Sequence, residues 1–137
     1  DFVNLPVLTG VIGDTHFATR DRMGRALAFL CRITNEGWDQ SPRALAVDEE
    51  TALEIPAHGP ATVASNGDGS VYFLSPTEPA NDCAPKVPLT FLSVDVYRVG
   101  DSGTFDLGTW TGSGGTSYQV SAESGVLAST QGDGSIY

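Results

Sequence analysis

The sequence is poor in positive charge, in sulfur and in long apolar runs, and each shortage excludes something. Seven lysines and arginines stand against seventeen aspartates and glutamates, a formal charge of −10. That balance repels phosphate backbones and anionic lipid heads over about a Debye length, so no nucleic acid partner is expected. No apolar run approaches the ~20 residues a membrane span needs, so no membrane partner is expected either. The chain opens Asp-Phe-Val-Asn, with no methionine, basic stretch or apolar stretch, and reads as a processed product whose targeting signal has gone.

Cys31 and Cys83 are the two thiols, and their spacing fits neither a Cys-x-x-Cys redox pair nor a zinc ribbon. If paired, they close a loop of about 50 residues and stabilise the fold by roughly 4 kcal/mol, as suits a secreted protein. If unpaired, Cys31 is a small core residue on a helix and Cys83 an exposed loop thiol. The low lysine content, the acidic balance and the many Gly, Ser and Thr residues favour an extracellular or periplasmic location.

What is present begins with a short apolar run over residues 5–12, the length of a buried strand. Residues 20–33 then place Met23, Ala26, Leu27 and Leu30 at helical spacing, with Arg22, Arg25, Phe29 and Arg32 on a neighbouring face. Thr19 is the expected N-cap, and Asn35-Glu36-Gly37 the stop. Beyond Trp38 the pattern becomes short β-like runs: 44–47, 51–55, 61–65, 70–74, the alternating stretch around Leu92, Val94 and Val96, then 118–122 and 125–129. Asn66-Gly67-Asp68-Gly69 predicts a hairpin joining 61–65 to 70–74, and 118–129 predicts another. The near-repeat of residues 65–72 at 130–137 is read as a second such turn, since neither copy has the spaced carboxylates of a calcium loop. Residues 76–88, rich in proline, are a loop.

The densest chemistry lies in Asp14-Thr15-His16-Phe17-Ala18-Thr19-Arg20-Asp21-Arg22-Met23-Gly24-Arg25, which holds three of the seven basic residues. An extended segment would point Asp14 and His16 the same way, both emerging at the carboxyl end of a strand where open α/β sheets place ligands. Arginines in a first helical turn oppose the macrodipole, a local conflict expected where function overrides stability. Their fitting task is to grip carboxylates. Other features read as structural. Asp48-Glu49-Glu50 and His58 look like solvated turns, and Trp38 and Trp110 like core fillers. Gly100-Asp101-Ser102-Gly103 imitates a chymotrypsin-like serine motif, yet a two-barrel protease needs far more chain.

D-x-H-F-x-x-R-x-R-x-x-R running from strand to helix, followed by Ala46-Val47-Asp48-Glu49-Glu50-Thr51-Ala52-Leu53, resembles the cyanophycinase and aspartyl-dipeptidase family of serine peptidases. The resemblance covers roughly residues 8–74, and more loosely the tail. It implies an α/β fold: residues 1–75 as the C-terminal half of a class I glutamine-amidotransferase-like sandwich, and 76–137 as a β-rich C-terminal extension packed on it. It implies His16 as catalytic base and Asp14, Thr15, Arg20, Arg22 and Arg25 as the substrate-binding set for a β-aspartyl or related isopeptide substrate. Thr15 stands where cyanophycin-degrading members tend to carry glutamine, which departs from that substrate. The Gly-x-Ser-x-Gly elbow is absent, and the resemblance places it, with the acid that orients the histidine, upstream of Asp1. The expected partner is therefore an N-terminal segment of the same enzyme carrying the serine, with a homo-oligomer also open. The implied chemistry requires no cofactor and no metal. The competing expectation is a secreted, non-catalytic β-rich module that binds or self-assembles.

Overall fold

In the computed structural model, which describes residues 5–79 and 83–137, the sequence does not build the α/β sandwich that the resemblance implied. Eight strands form one mixed sheet, and the chain has one α-helix among the described residues. Strand β1 (Val11–Thr15), helix α1 (Met23–Asn35) and strand β2 (Arg43–Val47) make a single βαβ unit with a parallel β1–β2 pair. Every other pairing is antiparallel, through β3 (Thr51–Glu54), β4 (Ala61–Ser65), β5 (Val71–Pro76), β6 (Phe91–Asp106), β7 (Thr111–Glu123) and β8 (Val126–Ser129). A doubly wound sandwich needs a crossover helix for each added parallel strand, and this sequence has helical periodicity over one stretch alone. Both expected units share this sheet among the described residues, since β5 hydrogen-bonds to β2 on one side and to β6 on the other.

The path across the sheet is β1-β2-β5-β6-β4-β3, with β7 on β6 and β8 on β7. The first strand is displaced from its expected position. Pro6–Leu8 is a 3-10 turn, Gly10 takes φ +74°, and pairing starts at Val11. Residues 66–69 do connect two strands, but β4 and β5 are not partners; β4 pairs with β3 and β6. Turn chemistry alone therefore mispredicts that hairpin. The second copy of the near-repeat, 130–137, contains no strand and closes no hairpin. The β7–β8 hairpin forms as expected, through Ser124 and Gly125 at φ +50° and +83°.

Strand β6 is bent. Its first part pairs with β5 and its last residues with β4, with the register broken between Val99 and Thr104. The break holds Gly100-Asp101-Ser102-Gly103, where Ser102 has φ +62° and Asp101 accepts the Ser65 N–H at 3.0 Å. The serine-like motif is thus a bulge that turns a strand.

Two apolar clusters result. One packs α1, through Met23, Ala26, Leu27, Leu30 and Cys31, onto Ala46, Leu74, Val94, Val96 and Val120. The other lies on the opposite face, where the bent β6 carries Phe105 onto Phe73 beside Val63, Val71 and Val99. Cys31 and Cys83 form a disulfide, with Cα atoms 6.1 Å apart, tying α1 to the segment before β6. No helix among the described residues is long and apolar enough to cross a membrane.

Candidate active site

Parallel pairing dictates where the chemistry gathers. Thr15 lies opposite Val47, so the residues just past the two strand ends, His16 and Asp48-Glu49-Glu50, emerge side by side. His16 leaves β1 in a left-handed conformation, φ 52°, and the Phe17 N–H donates to Val47 O at 3.3 Å. The chain then coils tightly, with Arg20 N–H on His16 O and Arg22 N–H on Phe17 O. Asp48 secures the coil, accepting Ala18 N–H at 2.8 Å on one oxygen and Ser70 N–H at 3.0 Å on the other.

The turn places Glu49 Oε1 2.6 Å from His16 Nδ1, with both side chains a little under half exposed. A carboxylate only accepts, so Nδ1 carries a hydrogen, and in the neutral ring Nε2 keeps the lone pair. The acidic triplet is the expected exposed turn, between β2 and β3, with two of its carboxylates engaged. Asp48 secures the coil, and Glu49 contacts the histidine.

Asp14 and His16 part company, because the left-handed step at His16 ends the two-residue alternation. Asp14 turns toward α1, where Arg22 Nη1 reaches it at 3.2 Å and Arg25 through Nε at 3.1 Å and through Nη2. Arg22 also donates to Thr15 O at 2.6 Å, so Thr15 joins the cluster through its backbone. Two guanidiniums share the one Asp14 carboxylate beside the histidine turn. Arg20 is exposed and makes no side-chain hydrogen bond or ion pair among the described residues, so it stands apart from this group. The expected N-cap at Thr19 is also displaced. The helix begins at Met23, its N-cap Arg22 offers no side-chain bond, and the Tyr137 hydroxyl accepts the Met23 N–H at 2.9 Å while donating to Asp21 at 2.8 Å. Tyr137 packs edge-on against Phe17 and Tyr72, with centroids 5.7 and 6.0 Å apart. Burial, reinforced by Asp21, raises its hydroxyl well above the ordinary tyrosine range.

No hydroxyl or thiol hydrogen-bonds to His16 among the described residues, and both cysteines are oxidised. Ser102 Oγ donates to its neighbour Asp101 at 3.0 Å. Sequence reasoning missed Glu49 and Tyr137. Glu49 was findable from the strand-helix-strand order, which puts the ends of two parallel strands together. Tyr137 had no local signal, since 116 residues separate it from Asp21.

No protein-family model matches the chain, and no curated protein or solved structure matches it.

Proposed function

We propose that this chain is the histidine-bearing, C-terminal part of a serine hydrolase of the cyanophycinase-like kind it resembles, acting on β-aspartyl or related isopeptide bonds. The observation that carries the reading is the 2.6 Å His16–Glu49 contact at the adjacent carboxyl ends of β1 and β2. A base, its orienting acid and a guanidinium pair then sit at one end of one sheet. The nucleophilic serine comes from an N-terminal segment of the same enzyme. Among the described residues strand β1 pairs with β2 alone, so its other edge is where such a segment would add.

In the reaction, Nε2 of His16 takes the serine Oγ proton as Oγ bonds to the acyl carbon. Collapse breaks the carbon–nitrogen bond, and the imidazolium delivers its proton to the departing amine. Water then attacks the acyl-enzyme, His16 takes its proton, and the serine is released with that proton returned to Oγ. Glu49 stabilises the imidazolium twice per turnover. Arg22 and Arg25 bind a substrate carboxylate with the charge Asp14 leaves uncompensated.

The test is hydrolysis of a β-aspartyl dipeptide by the protein purified natively with its companion polypeptide. Turnover by wild type and its loss in His16→Ala support the reading; equal turnover by both, or none by wild type, sinks it. The disulfide favours an oxidising, extracellular or periplasmic setting for the enzyme. It suits equally the second reading, a secreted β-rich binding module, which is what remains if the assay fails.

A further inference from the structure

Three strands, β1, β3 and β8, end the sheet with one side unpaired among the described residues. Two of them carry charge. Strand β1 holds Asp14 with its arginines, and β3 holds Glu54 and follows directly on Glu49 and Glu50. Strand β8, Val-Leu-Ala-Ser, carries none, and from Leu107 to Gly132 the one charged residue is Glu123. A bare edge pairs with other chains, so edge strands are ordinarily blunted by lysine, proline, a bulge or a covering segment. Strand β8 has neither proline nor charge, and its register on β7 is unbroken.

The backbone groups along this edge can be assigned. Thr130 N–H donates to Gln119 O at 3.0 Å, and the regular register from Val120–Ser129 to Glu123–Val126 carries that alternation back along β8. Val126, Ala128 and Thr130 therefore spend their N–H and C=O groups on β7, and Leu127 and Ser129 turn theirs outward. The chain beyond β8 leaves those groups uncovered. The Ser129 hydroxyl donates to Ser135 O at 2.6 Å, the Tyr118 hydroxyl donates to Ile136 O at 3.1 Å, and Tyr137 packs on Tyr72. Residues 135–137 thus run beneath the sheet toward β5, away from the edge. Val126 is 70% exposed, and Ala128, on the same face, is exposed as well.

We propose that β8 pairs antiparallel with β8 of a second copy of this chain, with Ala128 on the two-fold axis. Leu127 then faces Ser129 of the second copy, and the two equivalent pairs exchange all the outward N–H and C=O groups. Ala128 meets its own counterpart at the non-hydrogen-bonded position between them, where Cα atoms approach to about 4.5 Å and a small side chain fits. On the same face Val126 lies against Thr130 of the second copy, which takes its exposed side chain out of water. Charge selects a copy of this chain as the occupant. Two chains of formal charge −10 repel, and the β7–β8 flank is where they approach with least repulsion. The pairing closes on itself and leaves the β1 edge free, so it does not compete with the segment that the hydrolytic reading adds there.

Sedimentation velocity of the natively purified protein, from about 1 to 500 μM, reads the association. Wild type is expected to reach twice the protomer mass within that range. Ala128→Lys and Ala128→Glu each put like charges on the axis and should weaken dimerisation at least about tenfold. Position 128 is exposed, so neither should move the unfolding midpoint. The lysine variant also lowers the net negative charge, so an association governed by overall charge would strengthen with it. Mixing the two variants sets opposite charges on the axis and should restore the dimer. Ala52→Lys, at an exposed position on the β3 edge, should dimerise as wild type does, and so should His16→Ala, which separates this surface from the hydrolytic site. The proposal is overturned if wild type stays at the protomer mass throughout, if both charged variants at position 128 dimerise as wild type does, if their mixture does not dimerise, or if Ala52→Lys abolishes the dimer.

Discussion

Glu49 is the side chain on which the hydrolytic reading turns, because without a carboxylate on Nδ1 the imidazole has no fixed tautomer. Glu49→Gln keeps the size and the contact but lets the amide donate to Nδ1, which selects the wrong tautomer. We expect it to lower kcat by about 10³-fold or more with KM little changed, read from steady-state β-aspartyl hydrolysis by the native assembly. Asp14→Asn should act differently, since it frees Arg22 and Arg25 without touching His16. Its effect belongs in KM, and a kcat loss matching that of Glu49→Gln would show that the cluster positions the base instead. The tyrosines supply a prediction that needs no substrate. Burial raises the Tyr72 and Tyr137 hydroxyls and pushes Tyr118 up to about 12, with the Arg98 guanidinium opposing at Tyr118. An unfolded chain releases these protons near pH 10 while the folded one keeps them, so the native state binds more protons above that pH. Stability is therefore complete below about pH 10 and declines as pH rises toward 12, which unfolding midpoints measured alongside tyrosinate absorbance will report.

Helix α1 shows how one element is assembled from distant parts. Its apolar stripe, its Arg32–Glu36 pair and its stop at Gly37, φ +76°, are all set by residues close together along the chain. Its beginning is not local. The donor at Met23 is satisfied by the Tyr137 hydroxyl and not by Thr19. Tyr137→Phe removes that acceptor and should cost about 1 kcal/mol in urea unfolding, whereas Thr19→Ala should stay within about 0.5 kcal/mol. The reverse order would restore Thr19 as the cap. Strand β7 offers a parallel case. The Tyr97 ring lies against Gly112 and Gly115, where a Cβ would overlap it, and the Gly115 N–H donates to its hydroxyl at 2.8 Å. Those glycines are the surface on which an aromatic ring lies flat.

For the whole molecule, the Cys31–Cys83 bridge joins the βαβ unit to the antiparallel remainder across 52 residues. Its main effect is to restrict the unfolded chain, so a Cys31→Ser, Cys83→Ser double variant should lose up to about 4 kcal/mol, checked by urea unfolding with and without reductant. An unchanged midpoint would mean that packing of α1 alone fixes that side of the sheet. The sheet's two faces carry separate apolar clusters, one beneath α1 and one around Phe73 and Phe105.

Periodicity and turn residues act over a few positions, and that is the range over which the sequence was legible. The α1 stripe, most of the strand segments and the Ser124-Gly125 turn all follow from neighbours along the chain. The strand order does not. Asn66-Gly67-Asp68-Gly69 has every local mark of a hairpin, yet β4 pairs with β3 and β6, because the bend at residues 100–103 lets one long strand serve two neighbours. The motif read over residues 8–74 raised the expectation of a sandwich, and the presence of a single α-helix among the described residues overturned it. His16 was visible as a candidate from its own surroundings. Glu49 became its partner through parallel pairing of two strands, across 33 residues of sequence, a contact between distant positions that no local propensity encodes.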